Sequence, residues 1–138
     1  MTADYIIKIL NSCEALNGFE INSDYSDKEN NSVCAAPSGK EGASRLYCDG
    51  SGIYFKDFEL AFRIAGGKLQ AAKNRLCFEK LSDELCGFGK AHAFPEVQGF
   101  KEPVQISVIR DAAVSADELH SIVYKMEIRI YYFKKNRT

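Results

Sequence analysis

Apolar residues recur at helical spacing over residues 2–17, where Ile6, Ile9, Leu10, Cys13 and Leu16 share one face and Thr2 and Asp4 are placed to cap and charge the first turn. Gly18 is expected to end that helix in a left-handed conformation. Over residues 19–21 the period shortens to two. The polar run 22–32, rich in Asn, Asp and Ser, is predicted to be a loop or the tip of a long hairpin, because it has little apolar area to bury. Residues 33–36 predict a short strand, broken by Pro37 and by a mobile connection, Ser38-Gly39-Lys40-Glu41-Gly42.

The strongest pattern follows. Residues 45–48 and 53–65 flank Asp49-Gly50-Ser51-Gly52, whose two glycines suit the positive φ of a tight reversal, so a hairpin is expected. Phe58, Leu60, Phe62 and Ile64 fall on one side of the longer strand, and Asp57, Glu59 and Arg63 on the other. After Gly66-Gly67, residues 69–85 carry Leu69, Ala72, Leu76, Cys77, Leu81 and Leu85 at helical spacing, closed by Gly87 and Gly89. A connection over 87–103 leads to the alternating residues 104–108. In the last segment Tyr124, Met126, Ile128, Ile130 and Tyr132 alternate with Lys125, Glu127, Arg129 and Tyr131. Residues 115–120, just before it, fit either a capping box opening a helical turn or a polar hairpin loop. The chain thus predicts a single α+β domain over residues 1–138. Its sheet, antiparallel or mixed, has four to five strands packed against two helices in the order α-β-β-β-α-β-β.

Composition narrows the functional classes. At 46% hydrophobic content, 138 residues can bury a core without metals or disulfides. The 18 basic and 19 acidic residues are interleaved, so no basic stripe is present to neutralise a nucleic-acid backbone. Apolar runs fall short of the ~20 residues of a membrane span, and the start of the chain lacks a signal-like pattern, so a cytosolic protein is expected. Five cysteines (Cys13, Cys34, Cys48, Cys77 and Cys86) without CxxC spacing predict reduced thiols, of which Cys48 alone is expected to be exposed. Cys86, His92 and the distant His120 do not make a metal-ligand set.

Catalytic chemistry is not announced either. Cys13 and Cys77 sit on apolar helix faces, and the two histidines fall in predicted loops. Gly50-Ser51-Gly52 precedes a strand rather than a helix, which removes a phosphate-loop reading and leaves no cofactor expected. Asp57 and Glu59 share a strand face with Arg63, as in an ordinary solvated charged face. Aromatic groups stand among those charges. Phe55, Asp57, Glu59, Arg63, Arg129, Tyr131 and Phe133 form the candidate subunit or partner interface, or a face that loops or a helix cover.

The segment Leu46-Tyr47-Cys48-Asp49-Gly50-Ser51-Gly52-Ile53-Tyr54-Phe55-Lys56-Asp57-Phe58-Glu59-Leu60 and the ending Tyr124-Lys125-Met126-Glu127-Ile128-Arg129-Ile130-Tyr131-Tyr132-Phe133-Lys134 resemble the phage minor capsid or tail-terminator family. That resemblance implies a structural virion protein, made in the bacterial cytoplasm, that closes into a homo-oligomeric ring, typically a hexamer. The ring would cap the tail tube and join it to the head connector, with DNA passing through unbound. Two other classes carry different expectations: a cytosolic binding module would be monomeric with a concave pocket, and an enzyme would need convergent titratable groups.

Overall fold

A computed structural model describes residues 3–16, 19–23, 32–65, 68–88, 94, 101–117 and 121–134. The expected caps at Thr2, Gly18 and Gly89, the loop residues His92 and His120, and the Gly66-Gly67 stop lie outside the described residues.

Helix α1 (Ala3–Asn11) is followed by a 3₁₀ turn (Glu14–Leu16) not expected from the pattern, then by strands β1 (Glu20–Ser23), β2 (Ser32–Leu46) and β3 (Gly52–Ala65). Helix α2 (Lys68–Gly87) and strands β4 (Lys101–Asp117) and β5 (Ser121–Lys134) complete the chain. The fold is α+β with one five-stranded sheet in the order β1-β2-β3-β5-β4. That sheet is mixed, because β1 runs parallel to β2 while the other three pairings are antiparallel.

One face of the sheet makes the core. Phe58, Leu60, Phe62 and Ile64 of β3 and Met126, Ile128 and Ile130 of β5 are buried with Ile6, Ile9 and Leu10 of α1 and Leu81 and Leu85 of α2, as the alternation predicts. Fixing α2 in place, the Glu84 carboxylate accepts the Ala15 N–H at 3.1 Å, and the Cys77 thiol donates to the Ala15 carbonyl at 3.3 Å. The apolar face of α2 is the expected one at Leu81 and Leu85 and departs from it at Leu76. Leu76 is 66% exposed, whereas Asn74 and Phe78 are buried, Phe78 edge-on to Phe62 at 5.0 Å and 4.8 Å from the ring of Tyr124. A helix with apolar residues on both sides of its stripe leaves its phase to whichever side the sheet's aromatics accept.

Strand β2 corrects a second expectation, since it continues through Pro37 and Gly39 instead of breaking there. β1 covers only Ser32–Ala35 of β2, so among the described residues no outer strand needs an N–H from Pro37. Pro37 pairs with Phe58 and Glu41 with Lys56, so Ser38, Gly39 and Lys40 together oppose Asp57 alone. This wide bulge turns on Gly39, whose φ of +89° is left-handed. At the β2–β3 turn Gly50 takes the expected positive φ (+88°) and Gly52 does not; a Cβ on Gly52 would lie 2.5 Å from the Arg45 carbonyl, so close approach is what demands glycine there. The 115–120 region resolves as the end of β4 followed by β5, with residues 118–120 outside the described set. β4 also runs well beyond residues 104–108.

Phe62 is fully buried at the centre of this core. Phe62→Asp is expected to abolish cooperative unfolding, because it removes the ring's packing, worth about 3–5 kcal/mol on truncation, and adds an unpaired buried charge. A variant that retains a sharp thermal transition in circular dichroism would contradict this placement.

Candidate functional site: the charged and aromatic sheet face

The face opposite the helices carries all seven residues of the candidate interface, since Phe55, Asp57, Glu59 and Arg63 occupy alternate positions of β3 and Arg129, Tyr131 and Phe133 those of β5. Their environments differ, and the face divides into three parts.

At its centre Asp57 and Arg129 are direct cross-strand partners. The Arg129 Nε donates to Asp57 Oδ1 at 2.7 Å and its Nη2 donates to Oδ2 at 3.1 Å, a two-pronged pair that matches the planar guanidinium to the carboxylate. The guanidinium carbon lies 4.1 Å from the centre of the Phe55 ring, within cation–π range. Hydrogen bonding to Asp57 raises the Arg129 pKa further above its ordinary value, with a smaller contribution from Tyr131. Asp57 is 0% exposed, so the expectation of a solvated carboxylate is wrong for this residue. The β2 bulge lies beside it: the Ser38 hydroxyl donates to the Asp57 main-chain carbonyl at 3.3 Å, and Lys40 reaches Glu127 at 3.7 Å.

Toward one end, Glu59 and Glu127 stand directly opposite each other, an unfavourable juxtaposition that two lysines offset. Lys125 is 3.5 Å from Glu59, with both side chains about half exposed, and Lys40 serves Glu127. Arg63 lies half-buried about 20 Å along β3 from Asp57 and does not join the central cluster. Toward the other end, Phe133 packs obliquely on Tyr47 at 6.4 Å, at the root of the β2–β3 turn. Phe55, Tyr131 and Phe133 are each half-buried, so the face is a satisfied ionic and aromatic surface with a wet rim.

Among the described residues no group of three or more His, Cys, Asp or Glu side chains is placed to hold a metal ion, and no helix is long and apolar enough to cross a membrane. A concave feature went unsignalled by the pattern: a groove of about 720 Å³ between α2 and β4, with Phe78, Tyr124 and Val114 among its apolar lining and Arg75, Glu79, Asp83 and Asp111 among its charged residues. It arises where α2 crosses β4, a juxtaposition that no local period encodes.

The thiols divide by burial. Cys13 is buried and donates to the Ile9 carbonyl at 3.4 Å; burial, and secondarily Glu84, pushes its pKa up to about 12. Burial also raises Cys77, whereas Cys48 and Cys86 are both exposed, so Cys48 is not alone at the surface as expected. At pH 8 a maleimide is expected to label Cys48 and Cys86 first and to spare Cys13 until the chain unfolds, because only the thiolate reacts. Peptide mapping that finds Cys13 labelled as fast as Cys86 in the folded chain would refute this.

The central pair yields an asymmetric prediction. Arg129→Met leaves a buried carboxylate without its partner and is expected to cost about 3–5 kcal/mol. Asp57→Asn is expected to cost less, because the Arg129 side chain is 27% exposed and can recover water. Equal loss of stability by chemical denaturation would contradict the assigned burial. The chain matches no protein-family model and no curated protein sequence, so a functional reading rests on its residues and their arrangement.

Proposed function

We propose that this chain is a structural subunit of a phage or prophage virion, which assembles as a ring, typically a hexamer, at the head-proximal end of the tail tube and joins it to the head connector. The observation that carries the reading is the pairing of the two stretches that bear the resemblance. Residues 52–60 and 124–134 lie side by side in β3 and β5 in one unbroken antiparallel register, so they form one continuous surface. That surface ends in Phe133 and Tyr47, a composition suited to burial against another protein.

The open strand edges support association as well. Beyond Ala35, β2 has no outer neighbour among the described residues, and β4 forms the far edge of the sheet with Val104 and Ile109 more than two-fifths exposed. In this role the subunit is made in the bacterial cytoplasm and ends in the virion. Stability and association are separable at the Phe133 end of this surface, which lies away from both the core and the Asp57–Arg129 pair. The alternative, a cytosolic ligand- or protein-binding module, draws on the groove between α2 and β4 and requires a monomer.

Light scattering coupled to size exclusion, on the chain alone and co-expressed with a tail-tube protein, is expected to give a closed oligomer of defined mass. Phe133→Ser is expected to weaken that assembly while lowering the melting temperature by no more than a few degrees. A monomer in both conditions would overturn the reading.

A further inference from the structure

Six large apolar side chains are strongly exposed among the described residues, and four of them collect at two sites at opposite ends of the sheet. Leu46 (64% exposed) and Tyr47 (43%) form the tip of the β2–β3 hairpin. Val114 (58%) lines the groove between α2 and β4, and Leu76 (66%) stands one turn along α2 from Glu79, which lines it. Tyr124, in the groove, and Lys134, opposite Gly52 at the hairpin, are ten positions apart on β5, or about 33 Å. A chain therefore cannot seat its own tip in its own groove.

The geometry points to a head-to-tail contact between copies, in which the Leu46-Tyr47 tip of one chain enters the groove between α2 and β4 of the next. The inference rests on the ring reading above and names its subunit contact. Three features select a second copy as the occupant. The groove, at about 720 Å³, falls within the ~300–1,000 Å³ that protein clefts offer to a ligand of a few side chains. Its floor of Phe78, Tyr124 and Val114 suits a leucine and a tyrosine, the latter already steadied by Phe133.

The charges are complementary. Glu79, Asp83 and Asp111 outnumber Arg75 around the groove, whereas Arg45 and Lys134, both exposed, flank the tip, and the one tip carboxylate, Asp49, is engaged by the Ser51 N–H and hydroxyl. A contact between two different patches on one chain is heterologous, and it generates a ring where the rotation between copies closes.

Two native cysteines provide the test. Cys48 adjoins Tyr47 at the tip, and Cys86 is exposed on α2 one turn beyond Ser82, which lines the groove. Treating the intact chain with a short bismaleimide is expected to produce a ladder of dimer, trimer and larger species on a denaturing gel, lost in both Cys48→Ser and Cys86→Ser. In light scattering, Arg45→Glu is expected to raise the concentration of half-assembly about tenfold, and adding Asp111→Arg to it is expected to restore assembly. A defined oligomer whose crosslinks stop at the dimer, or survive either serine variant, would overturn this contact and leave the ring reading standing. A chain that stays monomeric both alone and with a tail-tube protein, and yields no ladder in either condition, would overturn both.

Discussion

Fourteen residue pairs join β3 to β5 without a register shift, from Gly52 opposite Lys134 to Ala65 opposite Ser121, and the rest of the molecule is arranged on that ladder. Because side chains alternate along a strand, a slip of one residue would send Phe58, Phe62 and Ile128 to the open face and bring Asp57, Glu59 and Arg129 against the helices. Neither face tolerates that exchange. The apolar side needs α1 and α2 to exclude water, and the charged side needs Asp57 opposite Arg129.

The Asp57–Arg129 pair shows how that register is enforced on the open face. A carboxylate shielded from water is costly unless its partner meets both oxygens, which this guanidinium does. Asp57 is also the residue that the β2 bulge faces, where three residues oppose one and Gly39 supplies a backbone conformation that side-chain-bearing residues rarely adopt. Pro37 and Gly39, which would interrupt a central strand, are accommodated here because this part of β2 has no outer neighbour among the described residues.

The outer strands behave differently from the central two. β4 shifts register four times against β5, so Val104, between paired Pro103 and Gln105, is displaced outward while Ile106 is buried. Bulges of this kind twist an edge away from indiscriminate pairing, and they leave recognition to side chains. Exposed apolar residues at the hairpin tip and beside α2 are the features to which the proposed contact between copies is assigned.

Local periodicity determined the two-faced strands, the hairpin at Asp49-Gly50-Ser51-Gly52, the first helix and the seven residues of the open face, because each depends on neighbours within a few positions in the chain. Which side of α2 is buried was decided by Phe62 and Tyr124, since Leu76 and Phe78 are comparably apolar and only the sheet's aromatics distinguish them. The pairing of the buried Asp57 depends on Arg129, on a strand 72 positions away in the chain, and the parallel direction of β1 depends on how it docks beside β2. The groove between α2 and β4 belongs to neither element alone. A side chain's direction along a strand is a local property, whereas what stands in front of it depends on how separate segments pack, and one dimension does not carry that information.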